Sequence, residues 1–377
     1  MQIILINYTG RHGGGPLNAY EMTKALTGQG ARVAAVISDQ ADNLEEWKQL
    51  SIDKLVMIPT YDSPVSFIKN HIQFNLYKKY QIRKELEKYE VKAIYCPMCT
   101  FWTYAVNRLF PAAKKYVVCH DPVLHTGEVY ALAYKLCGVD RSYQTADEIL
   151  VHSKRFIRYA ERRYHKTGHV HYMPLGRHSF YNQIRKKQRL VRYEKDKTNF
   201  VFFGRISKYK GLDILAQAYQ RVSSQCEDVT LTVIGEGDFR PYQKQYQVLP
   251  RVRVINRWVE NCEVESVFQG ENLIAVFPYT DATQSGALLV AMECGVPVIA
   301  SDAGGLSGQI EHGVTGLLAA AGDSKNFAKR MMELKNDREL YQKIRANISK
   351  KLQDMEWPAL ADRLLALMEW KDDGYEA

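Results

Sequence analysis

Two short stretches concentrate the residue types that bind phosphate. The first, Gly204-Arg205-Ile206-Ser207-Lys208-Tyr209-Lys210-Gly211, follows directly on the apolar run 199–203. A guanidinium forks onto two oxygens at once and an ammonium adds a point charge, so Arg205 and Lys210 at a strand end suit phosphate oxygens. The second stretch runs from Gln284 and Ser285 through Gly286, Ala287, Leu288 and Leu289 to Glu293, after the buried-strand pattern 273–278. Small residues opening a helix leave its first amides unbonded, and such a terminus attracts anions. Glu293 lies eight positions after Ser285, about two helical turns on and on nearly the same face.

Weaker signals stand at other strand ends. Tyr116–Cys119 leads into His120, Asp121 and His125, and functional groups of open α/β sheets gather at such carboxyl ends. Gly13, Gly14 and Gly15 follow the opening strand pattern 3–7, with a spacing unlike G-x-G-x-x-G, which disfavours a dinucleotide-binding dehydrogenase. Gly235 closes the strand pattern 230–234, and Arg257 and Trp258 follow 252–255. Cys96 and Cys99 form a lone C-x-x-C without the second pair that a zinc site needs, and His165, His169 and His171 read as loop and strand residues.

The elements that position these groups repeat one pattern. Strand, glycine loop, helix and strand recur from residue 3 to 38 and again from 199 onward, which is the opening of a doubly wound domain each time. A basic segment poor in apolar residues, 181–198, separates the two halves as a linker. Residues 65–90 alternate aromatics and bases (Phe67, Lys69, Phe74, Tyr77, Lys78, Lys79, Tyr80) and read as an amphipathic helix with snorkelling lysines, a membrane-resting helix being the alternative. The final helix starts at Trp357-Pro358, with Leu360, Leu364, Leu365, Leu367 and Met368 on its apolar face.

These motifs resemble those of the family 4 glycosyltransferases, which have the GT-B fold. The Gly-Arg, spacer, Lys-Gly motif is matched residue for residue at 204–211. In the second motif Ser285 stands where the family carries its first Glu and Glu293 where it carries the second, followed by Gly295-Val296-Pro297-Val298 and the Gly304-Gly305 loop. The resemblance implies an α/β, GT-B architecture of two Rossmann-like doubly wound domains facing a cleft, with a C-terminal helix crossing back to the first. The boundaries are then 1–180 plus 357–377 for the acceptor-side domain, 181–198 for the linker and 199–356 for the nucleotide-sugar domain.

It also implies the roles. Arg205 and Lys210 bind the donor diphosphate, His120 lies beside the transferred sugar, and Asp121 and His125 face the acceptor. Gly13–Gly15, Gly204, Gly235, Arg257, Trp258, Gln284–Leu289 and Glu293 line the donor, with Glu293 on the ribose hydroxyls. Ser285 in place of a carboxylate leaves the sugar open. The sequence has no Asp-x-Asp, so neither metal nor cofactor is expected. The family retains anomeric configuration, and the implied reaction is same-face transfer to a saccharide or lipid-linked saccharide in cell-surface polysaccharide synthesis. The alternatives are another GT-B enzyme, such as a sugar-nucleotide epimerase, or a basic nucleic-acid or lipid-binding protein.

Composition fits this picture. The 377 residues suit two domains, and 46% hydrophobic with 25% charged residues is ordinary for a globular chain. No apolar run approaches the ~20 residues that span a bilayer, and the start lacks a signal pattern, so the expectation is a cytoplasmic protein. Seven cysteines without such a signal argue for free thiols. Of the net charge of +9, residues 151–197 carry 14 Lys/Arg against 3 Asp/Glu, a patch suited to an anionic membrane face. No nucleic-acid motif accompanies it.

Overall fold

Apolar runs too short for helices and flanked by Gly, Asn or Ser become parallel strands here, in two separate sheets. The computed structural model describes residues 1–120, 137–177, 190–282 and 284–370. The chain divides into two compact units, the first built from Met1 to Gly176 with the residues from Met355 onward, the second running from Arg177 to Asp354.

In the first unit, β1 (Gln2–Tyr8), β2 (Val33–Ser38), β3 (Lys54–Ile58), β4 (Glu90–Cys96), β5 (Lys114–Cys119), β6 (Glu148–Val151) and β7 (Val170–Tyr172) form one sheet in the order β3-β2-β1-β4-β5-β6-β7. Every described pairing is parallel. The order reverses between β1 and β4, so the loops leaving those strands diverge at a topological switch point. Both faces are covered. Helix α1 (Gly14–Gly28) packs on one face with Ile4, Ile6 and Val33, while Phe74, Ile82 and Trp102 cover the other with Ile3, Leu5 and Ile94. Phe74 and Ile82 come from a helical stretch composed of α2 (Pro64–Gln73), a π-helical turn (Phe74–Lys78) and α3 (Lys79–Glu85), started by a Ser63 capping box and Pro64.

The second unit holds β8 (Thr198–Phe203), β9 (Val229–Ile234), β10 (Val252–Ile255), β11 (Leu273–Phe277), β12 (Val298–Ser301) and β13 (Leu317–Ala319), ordered β10-β9-β8-β11-β12-β13 and parallel throughout. Its switch point lies between β8 and β11. Helix α4 (Leu212–Ser223) follows β8, and α5 (Gly286–Glu293) follows β11.

The last helix, α6 (Trp357–Met368), returns to the first unit. Trp357, Leu360, Ala361, Leu364 and Met368 are buried in the same cluster as Ile4, Ile6, Met22 and Leu26, each large side chain contributing roughly 1.5–3 kcal/mol. Gly176 lies under Trp357, whose ring atoms come within 2.4 Å of where a Cβ would be. The chain therefore changes units at Gly176–Arg177. The described end of the expected linker packs on the second unit: Val191 is buried, Leu190 N donates to Ser266 Oγ (3.2 Å) and Tyr193 Oη donates to Val267 O (2.6 Å).

Candidate functional site

The phosphate-type residues of the second unit gather where its strand order reverses. The loop after β8 leaves through Gly204, turns one 3-10 turn over Lys208–Lys210 and enters α4 at Gly211. Gly211 has φ +68°, and a Cβ there would sit 2.0 Å from Pro278 O, so only glycine lets this loop close against the loop after β11. Thr280 N donates to Tyr209 O at 2.8 Å, tying the same two loops.

Lys210 is buried at 9% exposure, with Nζ 3.7 Å from the Tyr279 ring centroid and 4.8 Å from that of Tyr209. Two aromatic faces beside it attract a cation and fix its position. Arg205 differs. It is exposed, and no partner is recorded for it among the described residues, which leaves its fork open to a ligand.

Ser285 is the N-cap of α5. Its Oγ accepts from Leu288 N (3.3 Å) and lies 3.2 Å from Tyr279 Oη, while Gln309 holds its backbone from both sides, Ser285 N donating to Gln309 Oε1 (2.7 Å) and Gln309 Nε2 donating to Ser285 O (3.2 Å). Leu288 and Leu289 anchor the helix in the core. The cap uses the Leu288 amide, and Leu289 N returns to Ser285 O. The amides of Gly286 and Ala287 therefore point out of the helix start without a recorded partner among the described residues. Gly204 lies beside this terminus, where a Cβ on it would sit 3.7 Å from Ala287 Cβ, and a Cβ on Gly235 would strike Gly204 O in turn. Burial pushes the Tyr279 phenol far above its ordinary range, so it stays neutral between Lys210 and Ser285.

Glu293 is held in an ion pair. It ends α5, seven residues from the start, which puts it about 10 Å along the axis from the free amides. Its carboxylate is 1% exposed and gripped by the Arg177 fork, with Nε to Oε1 and Nη2 to Oε2 both 2.8 Å. In the free chain Arg177 thus holds both carboxylate oxygens of the residue expected at the ribose.

The loop after β10 carries Arg257, paired through both terminal nitrogens to Glu263 (2.8 and 2.7 Å) and donating to Trp258 O (2.7 Å), and Trp258, which is 45% exposed. Arg257 is thereby a loop brace, and the Trp258 ring is the accessible surface there.

In the first unit the glycine loop is already served. Gly13 N donates to Asp42 Oδ2 (3.1 Å), and His12 Nδ1 lies 2.6 Å from Asp42 Oδ1. Gly14 and Gly15 are the first residues of α1, and a Cβ on Gly15 would meet Tyr8 Oη at 2.0 Å, so Gly15 makes room for that ring. His120 is buried at the end of β5. Its Nε2 lies 2.9 Å from Pro97 O and 3.3 Å from Nε2 of His152, the residue after β6. Asp121 and His125 lie outside the described residues. The C-x-x-C is buried, and burial pushes the Cys96 thiol up to about 12 and Cys99 higher. Neither is a reactive thiol.

Two Rossmann-like parallel sheets, the second with cations and helix-start amides at its switch point, are those of the GT-B fold. Residues 197–337 match the family model of glycosyl transferases group 1. The likeness to that family thus lies in the second unit. D-inositol 3-phosphate glycosyltransferase of Jonesia denitrificans is 30% identical over 178 residues, 45% of this chain and 42% of that protein. N-acetyl-alpha-D-glucosaminyl L-malate synthase of Bacillus anthracis is 26% identical over 174 residues, 43% of this chain and 42% of that protein. The matched stretch thus spans less than half the length of these relatives. The fold extends further. Anabaena HepE, solved in complex with UDP and glucose, superposes with a TM-score of 0.71 at 16% identity over 98% of this chain and 99% of its own. Sucrose-phosphate synthase of Thermosynechococcus elongatus does so with 0.72 at 17% identity, over 97% and 98%.

Proposed function

We propose that the chain transfers a hexose, with retention of configuration and without a metal ion, from a nucleoside-diphosphate donor to a saccharide or lipid-linked saccharide, in cell-surface polysaccharide synthesis at the cytoplasmic side of the membrane. The observation that carries this reading is the mouth between β8 and β11. There a buried Lys210, an exposed Arg205 without a recorded partner among the described residues, and the amides of Gly286 and Ala287 stand on two loops that meet at Gly211 and Thr280. These groups stabilise the negative charge that a departing nucleoside diphosphate develops, fixed in place before the reaction. The relatives' printed activities are glycosyl transfers, and UDP occupies the Anabaena neighbour, which supports a nucleotide sugar and favours UDP among bases.

His120 sits at a strand end of the first unit and supplies a polar contact to the sugar. Ser285 is occupied as a helix cap, so recognition of the sugar hydroxyls falls to other groups. The leaving phosphate itself takes the acceptor proton in this scheme.

The test is a donor panel of UDP- and GDP-sugars with the full chain, reading thermal stabilisation first and nucleoside-diphosphate release second, each with and without excess EDTA. Stabilisation by one nucleotide sugar and EDTA-resistant release are expected. Release that collapses with EDTA and returns with Mg²⁺ or Mn²⁺ would overturn the metal-free reading. Conversion of the donor into an epimer without an acceptor would overturn transfer.

A further inference from the structure

The helical stretch 64–85 is apolar on two opposite sides, and only one of them is packed. Its inner side carries Phe67, which meets Phe101 at 5.1 Å and Trp102 at 5.6 Å between ring centroids, together with the buried Phe74 and Ile82. Its outer side carries Val65, Ile68, Ile72 and Leu76 at spacings of three, four and four, exposed at 77%, 60%, 54% and 67%. Tyr77 and Tyr80 continue the row at 47% and 58%. A surface helix normally turns charge toward water opposite its core stripe. Here large aliphatic side chains take that side over about 16 Å of helix, and a contiguous exposed apolar patch marks an interaction surface.

Charge decides among occupants. Residues 64–84 hold five cations (Lys69, Lys78, Lys79, Arg83, Lys84) and no acid. The first carboxylate, Glu85, is turned to Lys54. Lys78 and Lys79 lie with Nζ 5.5 and 5.0 Å from the ring centroids of Tyr77 and Tyr80, so cations and phenols form one border along the aliphatic row. A second copy of this surface would bring like charges together. An aliphatic row edged by tyrosines and lysines matches the layering of an anionic bilayer surface, acyl chains below and phosphates above.

We propose that the outer face of residues 64–84 docks the chain on an anionic lipid surface, lying in the plane of the interface with Val65, Ile68, Ile72 and Leu76 inserted and Lys69, Lys78 and Lys79 at the phosphates. This surface is distinct from the basic segment 151–197, where Arg163 is paired to Asp140, Arg177 to Glu293 and Lys197 to Glu194. No helix among the described residues is long and apolar enough to cross a membrane, so attachment here is peripheral.

The experiment is vesicle flotation of the full chain on phosphatidylcholine alone and on phosphatidylcholine with phosphatidylglycerol. The parent floats with the anionic vesicles, less so as salt rises. Lys69→Gln/Lys78→Gln/Lys79→Gln weakens this about a hundredfold, each surface lysine counting about fivefold. Ile68→Ser/Ile72→Ser/Leu76→Ser loses at least roughly tenfold, with an unchanged thermal midpoint because these side chains face water in the free protein. Parent that stays with the soluble fraction overturns the proposal, as does an apolar variant that floats like the parent. Light scattering that shows a dimer which the apolar variant dissolves, without vesicle binding, assigns the face to a second copy instead and equally overturns it.

Discussion

His152 meets His120 with their Nε2 atoms 3.3 Å apart, and the two rings stand nearly edge to face at 4.4 Å between centroids. The outer partners fix who holds which proton. Pro97 O, 2.9 Å from His120 Nε2, can only accept, so His120 carries its proton on Nε2; Met173 O, 2.9 Å from His152 Nδ1, likewise fixes the His152 proton on Nδ1. His152 Nε2 then presents a lone pair to the His120 proton, which it shares with Pro97 O. We expect nitrogen chemical shifts of selectively labelled chain to show His120 protonated at Nε2. His152→Phe, which keeps the ring but loses the acceptor, should lower turnover roughly ten- to a hundredfold, as for other positioned polar partners. His152→Gln, whose amide oxygen can accept the same proton, should recover part of it. Equal turnover in all three proteins would show that His152 only fills space.

Lys210 and Tyr279 predict how the donor end fails. Lys210→Met keeps the buried stem over Tyr279 and removes the charge, while Arg205→Ala removes the open fork. Each is expected to cost about 2–4 kcal/mol in kcat/KM for the nucleotide sugar. Since Lys210 is packed and Arg205 is not, only the Lys210 variant should also move the melting temperature. Calorimetric titration with UDP checks both.

Arg177 and Glu293 form a nearly buried pair, and removing one partner strands the other charge. Arg177→Met should destabilise the chain by about 3–5 kcal/mol, and Arg177→Met/Glu293→Leu should regain most of that. Chemical denaturation compares them. If donor affinity in the double variant equals that of the parent, the pair has no part in nucleotide binding.

Ser285 as a cap predicts a stability cost where a sugar contact would predict a specificity change. Ser285→Ala should lose about 1 kcal/mol. Ser285→Asp, which can cap equally, should hold stability better than Ser285→Glu, whose longer carboxylate must displace Tyr279 or Gln309. Melting temperatures decide this.

The legible parts of the molecule were those written in consecutive residues. Gly204–Gly211 and Gln284–Leu289 each announce a strand end, a turn and a helix start in one run, and both loops lie at the switch point. The helix pattern placed Glu293 two turns below Ser285, but gave no sign of the guanidinium that holds its carboxylate. Arg177, 116 positions before its partner Glu293, and Gln309, 24 beyond Ser285, leave no local trace. Strand β3 escaped notice because Lys54–Ile58 is a partly exposed edge with Met57 turned to water. The stretch 64–85 showed its aromatics and bases, but not that its aliphatic residues sit on the side away from the core.

Buried thiols give a pH prediction. An unfolded cysteine ionises near pH 8.5, whereas burial holds native Cys96 and Cys294 protonated up to about 12. Above roughly pH 8.5 the unfolded chain binds fewer protons than the native one, so stability is full below that pH and falls as pH rises toward 12, by up to about 1.4 kcal/mol per unit for each thiol. The denaturation midpoint should drop between pH 8 and 10, and Cys96→Ala should flatten that slope. A midpoint independent of pH in this window would count against it.

The return of α6 to the first unit has a consequence for synthesis. Strands β1 to β7 leave the ribosome first, yet Leu360, Ala361 and Leu364, which close over Ile4, Ile6 and α1, come after the whole second unit. At about 5–20 residues per second, the first sheet waits on the order of ten to forty seconds with that apolar face uncovered. The second unit, whose strands and helices are contiguous in the chain, can fold in the meantime. The half of the molecule made first is therefore the half finished last, and it is the one most in need of a chaperone at the exit tunnel.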